Sequence, residues 1–247
     1  MINMGFLDTL KEMMKSPAEK SREAFQARLL SLPVAEIRTD GKYHGRNFAT
    51  RDLGEFKYKS LTKSTSLNKL VNFVAFDTET TGLSLTENEV IEIAAIRFEF
   101  FQPTEVFTTL LCPKKPIPPE ATRIHHITNE MVMNAPKFYE IIPSLDEFLG
   151  KSPLVAHNAS FDVMHLYASG LDSIAKKAVY DTCYISRKLN KQLVNHKLAT
   201  SCAHYGIYFD GAHRSAADTL ACGELFVRHI MQTHGCGNLQ ELLQMIK

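Results

Sequence analysis

The pattern of apolar and polar positions changes near residue 70. Before that point, Ser16-Pro17-Ala18-Glu19 has the form of a helix start: a capping hydroxyl, a proline suited to the first helical position, and a glutamate three residues after the cap. Phe25, Leu29 and Leu32 follow at helical spacing, and Pro33 stops the run. Asp40-Gly41 sits between short mixed segments and predicts a hairpin turn. Residues 60–69 are rich in Ser, Thr and Lys and predict a linker or loop. The expected division is an N-terminal helical and hairpin extension with its linker (1–70), then a main domain (71–247).

The main domain opens with an apolar run of strand type at 71–76. Residues 90–100 predict a second strand, with Ile91, Ile93 and Ala95 on one face and Glu92 on the other; 106–111 predict a third. The connections are too short for crossover helices, so these strands should pair antiparallel. Residues 117–150 hold helical pieces punctuated by Pro136 and Pro143, and 154–156 predict a short strand. Helices are predicted over 161–169, 183–189, 198–205 and 216–232. Three strands followed by alternating strands and helices imply an α/β mixed sheet with helices on its faces. Leu239, Leu242, Leu243 and Ile246 have helical spacing and are expected to pack on their own domain.

Composition changes this picture little. The 247 residues are 45 % hydrophobic and 22 % charged, as in ordinary globular proteins. No apolar run approaches the ~20 residues that span a bilayer, so no membrane association is expected. Asp8 and Glu12 interrupt the start, which lacks the apolar core of a secretory signal. Five cysteines, with no Cys-x-x-Cys pair, read as free thiols in a reducing cytoplasm.

Charge is more informative. The net charge is +1, yet residues 1–70 carry a balance of +5 and the remainder −4. A basic flank beside an acidic body suits a nucleic-acid enzyme, with Arg46, Arg51, Lys57, Tyr58, Lys59 and Lys63 as candidate strand contacts. A solvated surface or a partner contact accounts for the same residues.

Three segments carry candidate chemistry. Asp77-Thr78-Glu79 follows the first strand run, and side chains at i and i+2 of an extended chain share a face. Thr80-Thr81-Gly82 then permits a tight turn and offers hydroxyls and amides to an anion. His157-Asn158-Ala159-Ser160-Phe161-Asp162 joins a strand to a helix, with Asp162 in the first turn, where the helix dipole alone would favour it. His213-Arg214-Ser215-Ala216-Ala217-Asp218 precedes an apolar helix, and Ser215 with Asp218 has the spacing of a capping box. Each segment alone has an ordinary structural explanation. Together they place four carboxylates at strand or helix starts. Two unit charges ~5 Å apart at an effective dielectric of ~20 repel by roughly 3 kcal/mol, so convergence would demand cations. Hard oxygen ligands suit Mg²⁺ or Mn²⁺.

In this order and spacing the three segments resemble the three motifs of the DnaQ-like 3′→5′ exonucleases of the histidine (DEDDh) subclass, such as the DNA polymerase III epsilon proofreading domain. Ile124-His125-His126-Ile127-Thr128 is similar to the family's His-Gly-Ile-Thr segment, with His126 in place of glycine, and Tyr180-Asp181-Thr182 resembles another recurrent segment. The resemblance covers about 71–235. It implies a ribonuclease H-like mixed sheet flanked by helices. It also implies hydrolysis at the 3′ end of single-stranded nucleic acid, DNA before RNA. Asp77, Glu79, Asp162 and Asp218 would hold two divalent cations, with His213 as general base. Thr80, Leu83, His125 and Phe161 match positions that contact the terminal nucleotide. A DNA polymerase is a possible partner.

Other candidates point elsewhere. His229, His234 and Cys236 match no common zinc spacing, Asp181 reads as the cap of the helix after it before a residue that supports the site from behind, and no phosphate-binding Gly-x-x-x-x-Gly-Lys loop occurs. The competing function classes are an RNA-trimming exonuclease, a non-catalytic module that recruits a polymerase, and a small-molecule phosphodiesterase. The complete carboxylate set argues against the module.

Overall fold

The computed structural model describes residues 15–42, 57–209 and 214–246. Its centre is a five-stranded sheet of order β3-β2-β1-β4-β5, built from β1 (Phe73–Thr80), β2 (Val90–Glu99), β3 (Gln102–Leu110), β4 (Leu154–Ala156) and β5 (Val179–Asp181). β1, β2 and β3 pair antiparallel, as their short connections require; β4 and β5 pair parallel. This is the mixed sheet that the order of elements implies. β1 runs four residues past the apolar run, so Asp77 and Glu79 lie within the strand rather than beyond its end.

Strand alternation divides the interior. Phe73 and Ala75 point to one face, where they meet Ile96 and Phe98 of β2 and the long helix α8 (Ser215–His234). Val74 and Phe76 point to the other, against α4 (Phe138–Leu149) and α5 (Ser160–Ala168). α8 lies close on β2 because Gly223 has no side chain: a Cβ there would stand 2.3 Å from the Phe98 ring. Between these elements run α2 (Pro119–His125), α3 (Asn129–Val132), α6 (Thr182–Leu189) and α7 (Leu198–His204). α9 (Leu239–Gln244) buries Leu242 completely in the α8-side core, and Leu239, Leu243 and Ile246 pack beside it. Among the described residues no helix is long and apolar enough to cross a membrane.

The described residues before β1 share the core of the sheet and its helices. α1 (Pro17–Leu30) starts with the capping box its sequence predicts, and Phe25 with Leu32 joins the α8-side core. The chain then runs along β3, with Ala35 N–H donating to Val106 O and Val106 N–H to Pro33 O. At Asp40-Gly41 no hairpin is found among the described residues: 35–42 are neither helix nor strand, and 43–56 lie outside them. Gly41 serves a close approach instead. Its N–H donates to Glu140 O, and a Cβ would lie 2.1 Å from Tyr139 O, beside the point where Pro143 interrupts the hydrogen bonding of α4.

Candidate active site

The site lies where β1 outlasts its parallel neighbour. β4 is three residues long and, of β1, pairs only with Val74 and Ala75. Val74 N–H bonds to Pro153 O on that side. Four residues on, Thr78 N–H faces the same way with no strand to receive it. Asp162 from the first turn of α5 takes the strand's place: its Oδ1 accepts from Thr78 N–H at 3.0 Å and from Thr78 Oγ1 at 2.7 Å. A crevice at the carboxyl ends of parallel strands is the usual binding place of open α/β sheets.

On the α8 side of β1, Asp77 and Glu79 project together, as their i, i+2 spacing requires. Asp218 meets them from the first turn of α8. One carboxylate oxygen of each lies within 4.8 Å of the others, the single such group of possible metal ligands among the described residues. Burial pushes the Asp77 carboxyl well above the usual carboxylate range, and the charges of Asp162, Asp218, Glu79 and Glu92 push it further. Burial, then Asp218, Glu92 and Asp162, raise Glu79 to about 8, with Arg214 acting in the opposite direction. Burial raises Asp162 to about 7 against the hydrogen bonds from Thr78. The group is therefore short of positive charge, and its hard oxygen donors fit a divalent cation.

The start of α8 corrects one expectation. Ser215 does not cap the helix: it is the first helical residue, the cap position is Arg214, and no side chain of that cap bonds to the helix. The cap comes from β2. Buried Glu92 accepts the Ser215 N–H on Oε2 at 3.0 Å and two Arg214 donors on Oε1 at 2.8 and 3.2 Å. In the sequence Glu92 is only a polar residue on a strand face; its register opposite Glu79 cannot be read there. His213, the expected general base, lies outside the described residues, as do Arg46 and Arg51.

Around the carboxylates, Thr80 is buried at the end of β1 and its hydroxyl donates to Gly82 O at 2.7 Å. Leu83 follows after Gly82 and is 83 % exposed. Phe161 stands on α5 with its ring 4.5 Å from that of His165. His165 is buried, and the Leu83 main chain lies within hydrogen-bonding reach of it. Burial lowers its pKa to about 4, so His165 is neutral. It sits beside two of the predicted substrate contacts, Leu83 and Phe161, a proximity the sequence does not reveal. His125 ends α2, buried, with Nδ1 accepting from Ile127 N–H at 3.0 Å; the ring proton therefore sits on Nε2. His126 adopts the left-handed conformation (φ 61°) where the resembling family carries glycine.

The second motif is locked from behind. His157 bonds through Nδ1 to Thr182 Oγ1 (2.8 Å) and through Nε2 to His196 O (2.9 Å). Asp181 caps α6 as expected, accepting from Cys183 and Tyr184 N–H, and also accepts from Asn158 N–H at 3.1 Å. One carboxylate thus joins the β4–α5 turn to the start of α6. Tyr58 of the extension lies partly buried beside Ser160, in the field of Asp162 and Asp181.

The model of the RNase_T exonuclease family matches residues 74–226. This chain belongs to that exonuclease family. It is an exonuclease, a phosphodiester hydrolase. The exonuclease is 37 % identical over 184 residues to the DNA polymerase III subunit epsilon of Treponema pallidum (strain Nichols), a match covering 70 % of this chain and 85 % of that one. It is 35 % identical over 174 residues to a DNA polymerase III PolC-type protein of Caldanaerobacter subterraneus subsp. tengcongensis; that match covers 69 % of this chain and 12 % of the relative, so the exonuclease spans about an eighth of the larger protein. Exonuclease X in complex with 5′ overhanging duplex DNA has the same fold, with a TM-score of 0.54 and 24 % identity, over 71 % of this chain and 99 % of that one. The fold is ribonuclease H-like.

Proposed function

We propose that this exonuclease removes nucleoside monophosphates stepwise from the 3′ end of single-stranded DNA, using two divalent cations, Mg²⁺ or Mn²⁺. The observation that carries the reading is the convergence of Asp77, Glu79 and Asp218, with Asp162 beside them, at a site short of positive charge. These four residues would hold the cations, Asp162 through Oδ2, since its Oδ1 is committed to Thr78. When bound, the cations supply an activated water and neutralise charge on the departing 3′ oxygen.

The chain's own groups do the rest. Thr80 and Leu83 with Phe161 and His125 would seat the terminal nucleotide. His213, one residue before the anchored Arg214, would take the proton of the attacking water, a role suited to a near-neutral imidazole. DNA is favoured over RNA because the relatives are DNA polymerase III proteins and the structural neighbour is bound to DNA. The same relatives support a polymerase as partner and a cytoplasmic place of work. The test is Asp77→Asn with metal present and wild type with chelator: both should stay folded and lose turnover by at least about a thousandfold. Full activity in either would contradict the reading.

A further inference from the structure

Glu92 has no part in the reaction as described, yet it is a buried carboxylate at the edge of the carboxylate group. It sits opposite Glu79 in the β1–β2 register. Residues directly opposite on antiparallel strands have Cβ atoms about 4.5–5.5 Å apart and share a face. Its oxygens are spent elsewhere: Oε1 receives both the Nε and one terminal nitrogen of Arg214, and Oε2 receives the Ser215 N–H. Glu92 is accordingly not among the residues whose oxygens converge.

Among the described residues, Arg214 is the cation whose charge is felt at Glu79. Its charge already works against the rise at Glu79. Half of its side chain is exposed, so it has room to turn. A guanidinium presents a rigid fork that matches any carboxylate, and one released from Glu92 would find Glu79 a single strand-spacing away. Such a pair would occupy the oxygens a divalent cation needs and neutralise the charge that attracts it. We propose that Glu92 is a positioning residue that sequesters Arg214 and so keeps Glu79 open to the cation; this rests on the cation-binding reading above. The arrangement also fixes the first turn of α8, and with it Asp218, on the strand that faces Glu79. A purely structural Glu92 would do only the second.

The discriminating measurement is Mn²⁺ binding by titration calorimetry on the full chain, with Asp77→Asn as the control and thermal melts to confirm folding. Wild type should bind and Asp77→Asn should not. Glu92→Gln keeps an oxygen for the Ser215 N–H but frees Arg214, and should bind about tenfold more weakly, the size expected when a nearby cation competes for the same carboxylate. The double variant Glu92→Gln/Arg214→Gln removes the competitor and should return to within about twofold of wild type on the same reasoning. Arg214→Lys, whose ammonium cannot fork onto Glu92, should weaken binding in an otherwise unaltered pocket and carries the test if Glu92→Gln fails to fold. Unchanged affinity in Glu92→Gln, or a double variant as weak as the single one, overturns the sequestering role while leaving the cation site intact. Absence of Mn²⁺ binding in wild type overturns both.

Discussion

His126 shows how one residue records a departure from the family it resembles. Its left-handed backbone costs an L-residue roughly 1–2 kcal/mol, which glycine avoids, less the greater freedom glycine gains when unfolded. Its side chain is exposed, so replacement sacrifices little packing. His126→Gly should therefore stabilise the protein by up to about 1 kcal/mol, which raises the melting temperature by about 2–4 °C in a domain of this size. A lower melting temperature would show that the imidazole has a packing role. The carboxylates give a second residue-scale expectation. Glu79 and Asp162 hold protons to about pH 8 and 7 in the folded protein, but release them near pH 4 when unfolded. Between those limits the folded state binds more protons, so without cations stability falls as pH rises from 5 to 8. Melts of the chelated protein across that range should show the decline, and Glu79→Gln should flatten it; a stability that rises with pH would contradict the charge balance described. Asp77, Glu79, Asp162 and Asp218 were legible in the sequence because motif spacing survives without coordinates. Glu92 and His165 were not, since their significance lies in cross-strand register and in a contact between segments distant in the chain.

At the scale of elements, periodicity found β2, β4, the long helices and the α1 capping box. It shortened β1, because polar Asp77, Thr78 and Glu79 do not look like strand interior. It missed β5, because Val179-Tyr180-Asp181 lacks the uniformly apolar run that marks the equally short β4. It misread two local signals. Asp40-Gly41 has hairpin chemistry, but the glycine is required for the approach to Tyr139 O; Ser215 has capping chemistry, but a carboxylate from β2 already holds its amide. In both places a tertiary partner displaces a local preference. α8 depends on the same kind of contact. Gly223→Ala would force its Cβ into the Phe98 ring and lift the helix that carries Arg214 and Asp218. Overpacking of this sort costs about 1–3 kcal/mol, and activity should fall along with stability. Chemical denaturation and turnover measured on the one variant check this; loss of neither would mean α8 can slide on β2 without disturbing the site.

The whole molecule adds a question of delivery. The acidic site must draw in a polyanion, and the excess positive charge of this chain lies in residues 1–70. Lys57, Lys59 and Lys63 are exposed, and the segment that bears them is tied to the sheet by Lys59 N–H on Val179 O. Between them Tyr58 reaches the start of α5. If this flank guides the strand, Lys57→Glu/Lys59→Glu/Lys63→Glu should weaken single-strand binding and reduce its dependence on salt by about 0.7 for each phosphate that is no longer neutralised. An unchanged salt slope would remove the flank from the substrate path.

Direction, metal dependence and polymer choice meet in one assay. Single-stranded DNA and RNA, labelled at either the 3′ or the 5′ end, are incubated with the exonuclease in Mg²⁺ or Mn²⁺ and in chelator. The 3′ label should disappear at once, and the 5′-labelled strand should shorten as a stepwise ladder. DNA should be digested faster than RNA, and nothing should react in chelator. Faster digestion of RNA would contradict the proposed substrate, and cleavage that persists in chelator would contradict the carboxylate site as the seat of the chemistry.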